Sequence, residues 1–175
     1  MGQIRVQGMS RKEIRKIANQ FRKGLGLQDV VYFPVVEVFE ILQFLYDGLD
    51  TEIVEDYELR DRYAETDIEN KVIRVRQSIY DKACEGDGFS RMTIMHEIGH
   101  YECLVNQPIK FSRASDDAEI KPYEDPEWQA KCFAGEVMVP MHKTRKMTPK
   151  EIQMKCGVSD KAANYQYKVN KKDRV

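Results

Sequence analysis

The sequence predicts an α+β fold in which helices pack on a small antiparallel sheet and a short helix-turn-helix-like unit closes the C-terminal end. Three observations predict it. Several stretches repeat apolar residues at three- and four-residue spacing, most of them behind a capping residue. Two short stretches around residue 70 instead flank a turn, and the second alternates apolar and charged side chains. A length of 175 residues, with 42% hydrophobic and 33% charged side chains, fits one ordinary core with a small appendage.

Each element has its own local reason. Ser10 and Glu13 make a capping box, and Ile14, Ile17, Ala18 and Phe21 follow at helical spacing to about Lys23, before Gly24 and Gly26 break the pattern. A second helix opens around Pro34, carries Val38, Ile41, Leu42 and Leu45 on one face, and stops at Asp47-Gly48. Residues 62–66 and 71–76 flank the turn-like Asp67-Ile68-Glu69-Asn70; Ile73 and Val75 alternate with Arg74 and Arg76, and residues 52–54 complete the small sheet. With Ser90 as N-cap, Ile94, Ile98, Tyr101 and Val105 recur on one face of a helix that lies against the core. The polar stretch 106–125 reads as a surface loop at the rim of a cleft. Asp125-Pro126 pairs an N-cap with a first-turn proline and opens a helix over 127–139. Thr148-Pro149-Lys150-Glu151 starts the next helix, Cys156-Gly157-Val158-Ser159 turns, and 160–168 form the last. Residues 1–140 thus read as one domain and 141–175 as a small basic helical unit packed on it.

Composition narrows the function classes. The net charge is −1, yet residues 141–175 hold ten Lys or Arg against three Asp or Glu, an asymmetry that can face an acidic partner but lacks a dense basic run and reads as a solvated face. The N-terminus carries no apolar leader, and Pro34 interrupts the longest apolar run, 30–36, so a soluble cytoplasmic protein with no membrane partner is expected. The four cysteines, Cys84, Cys103, Cys132 and Cys156, form no Cys-x-x-Cys pair and read as reduced, packed thiols.

His96-Glu97-Ile98-Gly99-His100 carries the chemistry. Residues i and i+4 share a helix face about 6 Å apart along the axis, so both imidazoles can reach one tetrahedral ion. Glu97 beside them can take a proton from a water that such an ion acidifies, which predicts metal-dependent peptide-bond hydrolysis with zinc as cofactor. The same ligand types also hold Mn²⁺ or Fe²⁺. Catalytic zinc needs a third protein ligand, and Glu119, Glu124, Glu127 and Glu136 are the downstream candidates, among which spacing alone does not choose. Glu127 and Glu136 lie about 180° apart round a helix, so both cannot face one ion; Glu136 reads as a solvated carboxylate or one that supports a ligand. Cys103 turns away from His100 and packs. His142, outside the helix, reads as a bystander to the metal, and Tyr63, Tyr101 or His142 could act as proton donor or oxyanion stabiliser.

His96-Glu97-Ile98-Gly99-His100-Tyr101, followed by Glu127-Trp128-Gln129-Ala130-Lys131-Cys132-Phe133-Ala134-Gly135-Glu136-Val137-Met138-Val139-Pro140, resembles the ImmA/IrrE family of zinc metallopeptidases. The resemblance takes in the hairpin over 63–76 and the Gly157-Val158-Ser159 turn, and covers most of residues 30–170. It implies a zincin-like core and a glutamate followed three residues later by alanine as third ligand, which selects Glu127 with Ala130 and leaves Glu124 in reserve. Lys131 and Cys132 stand where that family commonly has Asn or Asp and a basic residue, so a group orienting one histidine is missing or comes from elsewhere. The implied substrate is a specific intracellular protein, a phage- or mobile-element-type repressor with a helix-turn-helix. The alternative, from another class, is a regulatory module whose basic C-terminal helices bind DNA or protein around a structural or vestigial metal site, with Ala162, Ala163, Asn164, Gln166 and Lys168 as the side chains available for base contact.

Overall fold

In a computed structural model, which describes residues 4–105, 112–113 and 120–173, the chain runs β1 (Ile4–Arg5), α1 (Arg11–Gly24), α2 (Val35–Leu45), β2 (Asp50–Val54), β3 (Ala64–Asp67), β4 (Val72–Arg76), α3 (Gln77–Cys84), α4 (Gly88–Val105), β5 (Ser112–Arg113), a 3₁₀ turn (Pro122–Glu124), α5 (Pro126–Met138), α6 (Met141–Thr144), α7 (Pro149–Cys156) and α8 (Asp160–Lys172). Helices packed on a small sheet make it an α+β fold. Of the loop expected over 106–125, residues 106–111 and 114–119 lie outside the described residues, and Ser112–Arg113 pair antiparallel with Ile4–Arg5.

The capping chemistry acts as expected. Ser10 and Glu13 exchange hydrogen bonds at the start of α1, which buries Ile14, Ala18 and Phe21. Asp125 accepts from the Glu127 N–H at 3.0 Å and Pro126 fills the first helical position of α5. The Thr148–Glu151 capping box opens α7, and Gly157 closes it in the left-handed region at φ 63°. Two details differ. The N-cap of α4 is Asp87, whose Oδ2 accepts from both the Ser90 N–H at 2.8 Å and the Ser90 hydroxyl at 2.7 Å, so Ser90 sits inside the first turn. On α2 the buried face is Val35, Val38, Phe39 and Leu42; the larger Phe39 takes an inward position and leaves Ile41 and Leu45 exposed.

The sheet order is β2-β4-β3. The β3–β4 hairpin is antiparallel, pairing Ala64 with Val75 and Thr66 with Ile73, and Asp67 holds the turn by accepting from Asn70. β2 runs parallel to β4, so the sheet is mixed rather than wholly antiparallel. The connection 55–63 passes over one end of β4 and returns as β3, which places β4 between two strands of opposite direction. α3, which no capping pattern announced, follows β4 directly and buries Ile79 and Ala83.

One core joins α1 to α5, the sheet and the C-terminal helices, with Ile152, Cys156, Val158 and Ala163 contributed by α7, its following turn and α8. Two buried arginines cap main-chain carbonyls inside it: Arg22 donates to Val137, and Arg91 to Phe33 and Gly157. The α4–α5 crossing is close at Gly99, where an added Cβ would stand 2.8 Å from the Ala130 carbonyl oxygen. Only glycine permits that approach, one turn from Glu127. Among the described residues no helix is long and apolar enough to cross a membrane.

Candidate metal centre

α4 presents His96 and His100 one turn apart, their ring centroids 4.6 Å from each other and their planes nearly perpendicular. α5 crosses at Gly99 and delivers Glu127 from its capped first turn. His96 Nε2 lies 3.1 Å from Glu127 Oε2, and His100 Nε2 lies 3.2 Å from Glu127 Oε1. One donor atom from each of the three residues falls within 4.8 Å of the others. Bonds of about 2.0–2.1 Å to a tetrahedral zinc place ligand atoms about 3.3–3.4 Å apart, so the donor set fits such an ion with small adjustment.

Electrostatics favours a cation here. Burial alone would lower the His100 pKa, but the hydrogen bond to Glu127 and the charges of Glu127, Glu97 and Asp125 raise it above the ordinary imidazole value. The same hydrogen bonds, from His100 and then His96, hold the Glu127 carboxyl far below the usual carboxylate range.

Glu97 is 8% exposed and lines the same cleft. Thr66 on β3 places its hydroxyl 2.8 Å from Glu97 Oε2 and 2.9 Å from the Glu97 carbonyl oxygen. The cleft encloses about 1010 Å³ between α4, the start of α5 and residues 64–69. β3 runs in the direction of α4, since the Tyr63 ring packs on Phe89 near the start of that helix and Thr66 meets Glu97 two turns on. Arg62 and Glu65 therefore line one end of the cleft, paired at 3.2 Å, and Asp67, Ile68 and Glu69 the other.

The other residues weighed from sequence stand apart from this group. Glu124 pairs with Arg5 at 2.7 Å. Glu119 lies outside the described residues. Glu136, on the opposite side of α5, is neither solvated nor at the histidines: it is 1% exposed and accepts from Arg15 at 2.7 Å and Gln166 at 3.1 Å. The two basic residues on α1 explain the difference, because a buried carboxylate needs partners and Arg11 and Arg15 supply them. Cys103 is buried and donates to the Gln129 carbonyl. His142 Nε2 lies 3.1 Å from the Gln28 carbonyl oxygen on another part of the surface. Tyr101 packs on Tyr46 and Tyr63 on Phe89, so none of the three proposed proton donors lines the cleft.

Two contributors were missed. Thr66 had a faint signal, a hydroxyl on the inward face of a strand. The N-terminal segment before Ser10 had none, yet the Val6 N–H donates to the Glu124 carbonyl at 3.0 Å, that of Met9 to Tyr123 at 2.8 Å, and Gln129 on α5 donates to the Gln7 and Tyr123 carbonyls, both at 2.8 Å. This strap braces the turn that leads into Glu127, and Val6 forms part of the cleft wall.

The family model described as IrrE N-terminal-like domain, Peptidase_M78, matches residues 49–166. No curated protein matches the chain.

Proposed function

Because the chain belongs to the IrrE N-terminal-like family of metallopeptidases, we propose that it is a zinc-dependent endopeptidase that acts in the cytoplasm on one specific protein, a helix-turn-helix repressor of the phage or mobile-element type. The observation that carries the hydrolytic reading is the meeting of His96, His100 and Glu127 at ligand separations beside a Glu97 carboxylate fixed in the same cleft. The repressor as substrate follows from the family resemblance.

His96, His100 and Glu127 would hold the ion. When bound, zinc supplies Lewis-acid polarisation of the scissile carbonyl and acidifies the attacking water. Glu97 takes the proton from that water on its carboxylate and returns it to the departing amine. Six consecutive residues, 64–69, line the cleft. Side chains alternate between the faces of a strand, so β3 must turn its edge rather than one face to the cleft. β3 is an outer strand of the sheet, and that edge can pair with an extended substrate main chain and align its carbonyl with the metal ligands.

The side chains weighed for base contact on α8 are largely committed elsewhere: Ala163 and Gln166 are buried, and Asn164 bonds Asp160 on its own helix. Packing on the core accounts for this unit.

The test is metal content of protein purified without chelator or added metal, followed by digestion of a library of peptides drawn from helix-turn-helix repressors. About one zinc per chain, with cleavage lost in a zinc-retaining Glu97→Gln variant, is the expected result. Cleavage retained by that variant would remove Glu97 as the base. No bound metal, even after zinc is offered back, would favour the binding module instead.

A further inference from the structure

We propose that Thr66 is the positioning residue for Glu97: its hydroxyl tethers the base to the strand that lines the cleft. The inference rests on the reading of Glu97 as base. Ala64 and Thr66 share one face of β3, opposite Val75 and Ile73 on β4. Ala64, Ile73 and Val75 are buried apolar residues, whereas Thr66, on the same face, is half-buried, polar and part of the cleft wall. A valine has the same branched shape and would fill that place without bringing a hydroxyl toward the interior. The hydroxyl of this half-buried residue at the cleft wall has two acceptors within hydrogen-bond distance, and both belong to Glu97: the carboxylate Oε2 at 2.8 Å and the main-chain carbonyl at 2.9 Å.

The hydroxyl has a single proton, and the tether is the state in which it is donated to Oε2, the charged and stronger acceptor of the two. β-Branching restricts the Thr66 side chain to few rotamers, so the oxygen is held where the strand puts it. With Oε2 engaged, Oε1 is the oxygen left to face a water. Since β3 also offers its edge to an extended substrate, the tether fixes the base relative to the strand that would align the scissile bond.

Thr66→Val and Thr66→Ser separate a tether from mere packing. Zinc content, thermal unfolding and crystal structures of the metal-free variants need no substrate; kcat and KM are read on the best-cleaved peptide of the library. Thr66→Val is expected to fold, bind zinc as the unmodified protein does, leave the Glu97 carboxylate turned away from β3, and lose about tenfold to a hundredfold in kcat with KM unchanged. Thr66→Ser is expected to keep the Glu97 position and most of kcat. An unmoved Glu97 in metal-free Thr66→Val overturns the tether, as does unchanged kcat in that variant while Glu97→Gln is inactive. Equal loss in the serine variant also overturns it. Cleavage by Glu97→Gln instead overturns the base, whatever Thr66 does.

Discussion

Glu127 and Glu136 stand nine residues apart on α5 and face opposite sides of it: Glu127 turns into the cleft with His96 and His100, whereas Glu136 is buried against Arg15 and Gln166. At 100° per residue nine positions make two and a half turns, so one helix carries a carboxylate to the two histidines and another to the back of the core. The same rotation makes the roles of the two residues separable by mutation.

Glu127→Ala should lower zinc affinity by more than about a hundredfold, since loss of a direct ligand exceeds the ten- to hundredfold loss typical of groups that merely orient one. Glu124→Ala should leave affinity within a few fold, because Glu124 is engaged by Arg5. Competition with a chromophoric chelator measures both, and a reversed order would move the third ligand to Glu124.

Zinc affinity should fall as the solution is acidified, beginning above the ordinary imidazole value of about 6.5. In the metal-free protein the raised His100 pKa and the depressed Glu127 pKa describe an ion pair. Its contribution to stability is lost as pH rises through the folded His100 value and as pH falls through the folded Glu127 value. Zinc needs the neutral imidazole, so protons compete until His100 is deprotonated. Affinity that stays flat from pH 6 to 8 would contradict this coupling.

Removal of residues 1–9 should weaken zinc binding by about tenfold to a hundredfold, through loss of bracing at the turn before Glu127. Calorimetric titration of the shortened protein is the check, with circular dichroism to show that the helices persist. Unaltered affinity would reduce the strap to a wall of the cleft.

Glu136→Ala should destabilise the protein by about 3 kcal/mol, the lower end for a broken buried ion pair, because Arg11 and Arg15 retain access to water. Urea unfolding is the measurement. Zinc affinity should be unaffected, since Glu136 faces away from the cleft.

Burial pushes the Glu102 carboxyl up to about 7, against the hydrogen bond donated by the Tyr46 hydroxyl. A folded value above the unfolded one favours the neutral acid, so this contribution to stability is full below the unfolded carboxylate value and is lost as pH rises through about 7. Glu102→Gln should therefore remove about 1–3 kcal/mol of the stability difference between pH 5 and pH 8. Paired denaturant titrations at those two values test it, and an unchanged pH slope would rule Glu102 out as the source.

Legibility followed distance along the chain. The spacing of His96 and His100 placed both imidazoles on one face because the helix repeat spans only four residues. The capping boxes at Ser10 and Thr148 and the cap at Asp125 were readable for the same reason, since donor and acceptor lie within three residues. Ser90 was misread as a cap because Asp87, three residues earlier, satisfies the same criteria and binds both Ser90 groups. On α2, spacing allowed two faces, and competition for the core between Phe39 and Ile41 was settled by packing.

The sequence by itself thus determined the α+β class, the pairing of two histidines and an adjacent carboxylate on one helical turn, and the helix that carries Glu127. Only the tertiary structure decided that β2 lies parallel to β4, that Thr66 meets Glu97, that residues 4–9 brace the turn before Glu127 and that Glu136 is a buried ion-pair hub. The physical reason is separation: Thr66 and Glu97 are 31 residues apart and Arg15 and Glu136 are 121 apart, so no local repeat links them and only the packing of elements through a shared core brings them together.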